Sequence, residues 1–220
     1  MFLIFTLMFT FSRYIFDPTT KALEETWGLV GDSMLAFNVA SIWLSNRWLF
    51  TELQPALYIT RLRMPVFDVH IAMEVAWYIS LLPYTKDRMM FVHHLLSAFM
   101  GMFGFYYNVT YIGFLLISIM IWSNIPLSLS KILHEQRHKY TKPMFILFAF
   151  TFFITCIVIF PFVYIPIVLF DVREEWLNDG LVGLYYGLNM GLFVLAGMQF
   201  IWFVKIIRLV MKPYKENRII

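Results

Sequence analysis

Six long apolar runs constrain this chain more than any other feature of its sequence. About 20 such residues in a helix are enough to cross the hydrocarbon core of a bilayer. A bilayer offers the backbone no hydrogen-bond partners, so each run is expected to be a helix. The sequence therefore predicts an all-α, polytopic membrane protein with six transmembrane helices. The runs cover residues 28–46, 64–83, 89–107, 111–130, 144–170 and 181–204.

Composition excludes the main classes of soluble protein. Hydrophobic residues make up 60% of the chain and charged residues 14%, against roughly 45–50% and 25% in soluble domains. Such a chain cannot cover its apolar surface with polar side chains, which argues against a soluble enzyme, a nucleic-acid-binding domain or a disordered tail. We expect no nucleic-acid partner. The single Cys156 lies in an apolar run, so neither a disulfide framework nor a cysteine-based metal site is expected.

The ends of the chain differ from its middle, and the sequence divides into three parts. The first 11 residues are apolar but short for a span, so we interpret residues 1–26 as an interfacial or tucked-in segment followed by a loop. Residues 27–210 form the predicted six-helix membrane domain, and residues 211–220 form a basic tail. Within the fifth run, Pro161 and Pro166 predict a kink or a tilted helix.

The basic residues are distributed unevenly between the two sides that six spans would create. An excess of Lys and Arg marks the cytoplasmic side of a membrane protein. The distribution therefore predicts that both termini face the cytosol, or the matrix if the membrane is mitochondrial. The side that holds both termini carries 13 of the 17 basic residues: Arg13, Lys21, Lys86, Arg88, Lys131, Arg137, Lys139, Lys142, Lys205, Arg208, Lys212, Lys215 and Arg218. The opposite side carries Arg47, Arg61, Arg63 and Arg173.

Six ionisable residues lie inside the predicted spans, where each costs about 2.5–3.5 kcal/mol on insertion scales unless it faces protein or water. At 100° per residue, His70 and Glu74 share one side of the second helix, while Asp68 lies on the other. On the third helix a small, polar face is predicted to line a cleft between helices. That face consists of His93, His94, Ser97, Gly101 and Gly104. The sixth ionisable residue, Asp32, belongs to the first run.

These features also permit ordinary structural interpretations. An intramembrane histidine is more often a hydrogen-bond partner between helices than a catalyst. His134 and His138 lie in a charged stretch that is typical of a solvated loop, so no metal site is predicted there. Gly183, Gly187 and Gly191 form a stripe of small residues that favours close helix packing, either within the fold or against another chain.

Three sequence features in residues 66–131 resemble the TLC domain family. Val66-Phe67-Asp68 is similar to the start of one family span. Lys86-Asp87 followed by His93-His94 is similar to the loop and histidine pair that come next, and the span from Gly113 to Lys131 is similar to the following one. The resemblance implies a six-helix membrane domain of TLC type. It also implies the endoplasmic reticulum membrane, with the mitochondrial inner membrane as the alternative.

A departure from the family pattern bears on activity. In the ceramide synthases of this family, the later span carries His-Asp and a further Asp three residues on. A gapless comparison places Met120, Ile121 and Asn124 at those positions. Acyl transfer needs a positioned base, which Met and Ile cannot supply. The chain therefore resembles the TLC-domain-containing relatives without synthase chemistry more than the complete synthases.

These observations favour a non-enzymatic membrane protein that binds a phospholipid or sphingolipid, needs no other cofactor, and packs against other integral membrane proteins as an accessory subunit. The predicted lipid chamber is lined by His93, His94, Ser97, Gly101, Met120, Asn124 and Ser128. The alternative is a lipid acyltransferase with catalytic candidates His93, His94, Asp68 and Glu74. A transporter or proton relay through the intramembrane carboxylates is a third hypothesis, for which the sequence shows no internal repeat.

Overall fold

The computed structural model describes residues 21–45, 65–171 and 173–211, and within these ranges the regular structure is entirely helical. The all-α prediction is confirmed for this part of the chain. The predicted N-terminal interfacial segment and the basic tail lie largely outside the described residues. The α-helices in these ranges are α1 (Lys21–Ser45), α2 (Pro65–Leu81), α3 (Arg88–Tyr106), α4 (Thr110–Glu135), α5 (Thr141–Phe152), α6 (Arg173–Asn178) and α7 (Val182–Met211).

Five helical stretches in the described ranges are long and apolar enough to cross a membrane: Pro65–Tyr84, Arg88–Tyr106, Thr110–Glu135, Thr141–Phe170 and Val182–Met211. They overlap five of the six predicted runs, which confirms the membrane class. The remaining run falls on α1, which is 25 residues long. Its apolar sequence is interrupted by Asp32, Ser33, Asn38 and Ser41, so α1 is less apolar than the other five.

Local signals set the ends of the helices around the α2–α3 turn. Pro83 lies in a short 3₁₀ turn, Leu82–Tyr84, that ends α2, since proline cannot donate the backbone hydrogen bond that would continue an α-helix. Asp87 then caps α3, because its Oδ1 accepts a hydrogen bond of 2.8 Å from the backbone N–H of Met90. This cap starts α3 in the register that turns His93 and Ser97 inward.

The fourth helix lies at the centre of the bundle, with a different hydrophobic cluster on each side. Towards α1 and α2, Phe114 packs with Leu35, Val39 and Phe67. Towards the second half of the fifth span and α7, partly buried side chains of α4 pack against a second cluster, which contains Phe160, Tyr164, Val168, Leu192 and Leu195. Lipid tails are as apolar as these side chains, so the helices are held together mainly by van der Waals fit.

The fifth span changes helix type where a kink or tilt was expected. After Phe152 the helix continues with π-helical segments, Phe153–Tyr164 and Ile167–Asp171. Pro161 lies inside the first of them. Its ring removes one backbone donor and would clash with a carbonyl of the preceding turn of an α-helix, which the wider π turn relieves. The hydroxyl of Tyr164 donates a 2.8 Å hydrogen bond to the carbonyl of Ile112, which ties this segment to α4.

Candidate functional site

A cavity of about 110 Å³ lies between α2, α3, α4, the π-helical part of the fifth span and α7. Its wall is mainly apolar and carries a few polar side chains, which is the usual form of a small-molecule site. The polar contributions come from Tyr78, His93, Ser97, Thr110, Asn124 and Tyr164. The apolar wall includes Ile71, Met100, Leu116, Ile117, Met120, Ile121, Val168, Leu192 and Leu195.

The third helix supplies the polar side of the cavity. His93, Ser97, Gly101 and Gly104 all line it, as their shared helical face requires. The His93 ring lies edge-on to Trp202, with ring centroids 5.0 Å apart. Its Nδ1 atom is buried and has no hydrogen-bond partner among the described residues. His93 therefore lines the cavity with a ring whose Nδ1 atom is itself buried.

Two residues of the predicted lipid chamber lie outside the cavity. His94 faces the α2–α3 turn, where its Nδ1 lies 3.3 Å from the hydroxyl oxygen of Thr85. Adjacent residues on a helix point 100° apart, so His93 and His94 cannot both face the same space. Ser128 lies one turn beyond Asn124 and donates a 3.0 Å hydrogen bond to Oδ2 of Asp32 in α1. The structure brings together His93, Ser97, Gly101, Met120 and Asn124 from the predicted set.

The fourth helix forms the opposite wall with Met120, Ile121 and Asn124. These are the positions that match the His-Asp and following Asp of the ceramide synthases. Neither Met120 nor Ile121 can act as an acid or a base, and the Asn124 amide does not titrate. On this wall the cavity offers van der Waals contact and one amide group.

The two carboxylates considered as catalytic candidates lie away from the cavity. Asp68 is buried and accepts a 2.9 Å hydrogen bond from the hydroxyl of Thr110. Glu74 is also buried, and its Oε1 lies 3.9 Å from Nε2 of His70. Neither residue is part of the cavity wall. Of the four catalytic candidates, only His93 reaches the cavity.

Several lining residues were missed by sequence reasoning. Tyr164, Val168, Trp176, Leu188, Leu192 and Leu195 all come from the last third of the chain. The fifth and sixth runs are apolar on all sides, so no periodicity distinguishes an inward-facing residue from one that faces lipid. The prolines of the fifth run were the only local sequence feature that stood out there. They indicate a change in backbone conformation rather than a binding surface.

The glycine stripe on α7 is divided between the inside and the outside of the fold. A Cβ atom added to Gly191 would lie 2.8 Å from Sδ of Met100, so this glycine allows α3 to approach closely. Gly183 and Gly187 are exposed, and a Cβ at either would have no neighbour within 4 Å. The packing role within the fold applies to Gly191 alone.

Metal ligands do not cluster in the described ranges: no group of three or more His, Cys, Asp or Glu residues there is placed to hold an ion. The loop histidine His138 instead accepts a 3.3 Å hydrogen bond at Nδ1 from the backbone N–H of Tyr140. The residues around the cavity are consequently interpreted through hydrogen bonding and packing.

The family model described as the TLC domain matches residues 21–208, which include α1, most of α7 and every residue that lines the cavity. No curated protein matches the chain. Since the family model covers far more than half of the 220 residues, the chain belongs to the TLC domain family.

Proposed function

We propose that this TLC domain membrane protein binds a lipid acyl chain in the cavity without transforming it, and that it serves as an accessory subunit of a larger membrane complex. The observation that carries the proposal is the wall of the cavity, which is apolar almost throughout. An alkyl chain gains contact on every side there and needs no hydrogen bonds. The bound lipid is proposed to be a phospholipid or a sphingolipid.

The volume of the cavity limits what it can hold. A cavity of about 150 Å³ lined by aliphatic and aromatic side chains accepts a benzene molecule. The 110 Å³ measured here therefore fits a segment of one acyl chain rather than a whole lipid. His93 and Ser97 lie on the polar side, where the unpaired Nδ1 of His93 can bond an ester, amide or hydroxyl group near the head of the lipid.

The absence of catalysis is proposed from the fourth helix. N-acylation requires a base that takes a proton from the attacking amine, and a group that orients the base. The wall positions that match these groups in ceramide synthases hold Met120 and Ile121. A lipid can lie against these side chains, but neither of them can take or give a proton.

Exposed apolar surfaces support the proposed assembly with other membrane proteins. On α3, Phe91, Leu95 and Phe99 are exposed, and aromatic side chains offer large contact areas without requiring many hydrogen bonds. On α7, Gly183 and Gly187 leave open space at the surface, where a backbone from another helix can approach closely.

The location of the protein is also a proposal. Family resemblance supports the endoplasmic reticulum membrane, and the mitochondrial inner membrane is the alternative. Lys205 and Arg208 are exposed near the end of α7, where each can add about 1 kcal/mol of attraction to anionic headgroups. Together with the other basic residues, they support an orientation with both termini on the cytosolic or matrix side.

Native purification in mild detergent, followed by mass determination, tests lipid binding and assembly together. We expect a particle heavier than the 26.2 kDa chain, with co-purifying lipid. Ser97→Phe, which fills the cavity, should lower lipid retention by about tenfold, equivalent to about 1.4 kcal/mol. Met102→Phe is the matched control because Met102 is exposed on the same helix. A lone chain without lipid would contradict the proposal.

A second function, lipid acyltransferase activity, is favoured by one observation. His93 lines the cavity, and its buried Nδ1 has no hydrogen-bond partner among the described residues. The test is incubation of the purified protein with acyl-CoA and sphingoid or lysophospholipid acceptors. The proposed function predicts no acylated product, whereas product that disappears in His93→Ala would establish the enzyme.

A further inference from the structure

A buried polar pair on the second helix has no role in lipid binding. His70 and Glu74 are one helical turn apart and are 0% and 1% exposed. They face α1 and α4, while the cavity lies beyond Tyr78, one further turn along the same side of the helix. Burying an ionisable pair inside a membrane costs free energy unless the pair is hydrogen-bonded. Such pairs are therefore rare and usually mark a functional site.

The hydrogen bond from His70 to α1 determines where the histidine carries its proton. His70 Nδ1 lies 2.8 Å from Oδ1 of Asn38. An amide oxygen can only accept, so the Nδ1–H of His70 donates. In a neutral imidazole the other nitrogen, Nε2, is then an acceptor. Phe114 contacts the His70 ring edge-on, with centroids 5.2 Å apart, and holds its orientation.

The unprotonated nitrogen faces the carboxyl group of Glu74. Nε2 of His70 and Oε1 of Glu74 are 3.9 Å apart. Neither atom has a hydrogen-bond partner among the described residues. Two acceptors facing each other in a low-dielectric interior repel unless a proton lies between them. One proton held by the carboxyl group removes this repulsion.

A series of polar side chains lies between this pair and the α2–α3 turn. Tyr78 follows Glu74 by one helical turn, and its ring centroid is 5.4 Å from that of His94 and 6.2 Å from that of His93. His94 in turn lies 3.3 Å from the hydroxyl oxygen of Thr85 in the α2–α3 turn. The neighbouring Lys86 and Asp87 are exposed, so the series ends at water.

Other titratable groups around the pair come from several helices. Asp32 of α1 accepts a hydrogen bond from Ser128 of α4, and Cys156 of the fifth span is buried. The fourth helix faces His70 with Phe114, which does not titrate.

We propose that Glu74 and His70 form a proton-binding site inside the membrane, which exchanges its proton with water at the α2–α3 turn through Tyr78 and the His93–His94 pair. In the release direction, Glu74 gives its proton to the Tyr78 hydroxyl, which passes its own proton towards an imidazole nitrogen. The imidazole then releases one proton to water beside Thr85. One proton leaves, one carboxylate remains, and no electrons are transferred. The Glu74–His70 pair lies outside the cavity, whereas Tyr78 and His93 also line it.

Infrared spectroscopy of the full chain in nanodiscs tests the proposal, since a protonated carboxyl group has a resolved carbonyl band that shifts on deuteration. We expect a buried carboxyl band that is lost in Glu74→Gln. Tyr78→Phe should keep the band but slow its exchange in D₂O by about tenfold, the effect of about 1.4 kcal/mol on a barrier. It preserves the ring, so the fold should be retained. Tyr106→Phe, an exposed tyrosine on α3, is the control and should exchange at the wild-type rate.

Three results would overturn the proposal: the absence of a buried carboxyl band in the wild type, a band that persists in Glu74→Gln, or exchange that is equally fast in the wild type and Tyr78→Phe. The exchange comparison uses the wild type, Tyr78→Phe and the control Tyr106→Phe. It therefore remains decisive if Glu74→Gln does not fold. Lipid retention is measured on the same samples of the wild type and Tyr106→Phe. Because lipid retention and carboxyl exchange are separate readouts, failure of this site can be distinguished from failure of the proposed lipid binding.

Discussion

The two sides of α4 contain different kinds of interior. Towards α1 and α2, the helix packs closely around buried polar residues: Asp32 and Asp68, which accept hydrogen bonds, and Glu74. Towards α3, the fifth span and α7, it borders a cavity that is mostly apolar and is reached by His93. The carboxylates are thus concentrated away from the cavity described above. In this protein, the position of charged residues in the sequence is a poor guide to the position of that cavity.

Close packing on the α1 side predicts the largest effect of a single substitution. A Cβ atom added to Gly31 would overlap the ring of Trp77, which is buried and cannot move away without disturbing its neighbours. We expect Gly31→Ala to destabilise the protein by about 1–3 kcal/mol, the usual cost of overpacking. Thermal unfolding in detergent measures this effect.

The control for this comparison is Gly187→Ala, where the added atom meets open space. We expect no loss of stability for the isolated chain. Equal melting temperatures for Gly31→Ala and Gly187→Ala would contradict the close packing of α1 on α2.

The hydrogen bond between Thr110 and Asp68 predicts a somewhat smaller effect on the same side. Thr110→Val keeps the shape of the side chain but removes the donor, which leaves the buried Asp68 with one hydrogen bond fewer. We expect destabilisation by about 1–2 kcal/mol, measured as a shift in the unfolding transition. Ser130→Ala should have almost no effect, because this hydroxyl donates to the backbone carbonyl of Leu127 in its own helix. If the Thr110→Val variant is as stable as the wild type, this hydrogen bond contributes nothing to stability.

The cavity side predicts the smallest effect on stability. His93→Phe replaces an imidazole that has an unpaired buried nitrogen with an aromatic ring of similar shape. Since no hydrogen bond of Nδ1 is lost among the described residues, we expect a change within about 0.5 kcal/mol. Lipid retention should nevertheless fall, because the polar contact to the lipid is removed. A large loss of stability, with lipid retention unchanged, would assign His93 to the structure instead of the site.

The sequence predicted much of the fold, because membrane helices follow from run length and hydropathy alone. It also placed His93, Ser97 and Gly101 on one helical face. Periodicity could not separate His94 from this face, since a predicted arc is wider than the mouth of a real cavity. Ser128 was assigned to the chamber because it lies one turn beyond Asn124 on the same helix. Its hydroxyl bonds Asp32 instead, and this contact depends on how α1 packs against α4.

Two further features could not be predicted for physical reasons. The π-helical turns of the fifth span depend on how Pro161 is accommodated by tertiary contacts such as the hydrogen bond from Tyr164 to α4. The division of the glycine stripe depends on the position of Met100 relative to Gly191. Neither relationship is local in the sequence.

Photocrosslinking with a phospholipid that carries a photoactivatable group in its acyl chain tests the central claim most directly. The purified protein is irradiated with this lipid, and the labelled peptides are mapped by mass spectrometry. Lipid binding in the cavity predicts labels on inward-facing residues of α3 and α4, such as Ser97 and Met120, and their loss in Ser97→Phe. Labels confined to the exposed residues of α3, such as Phe91 and Phe99, in both the wild type and Ser97→Phe would contradict it.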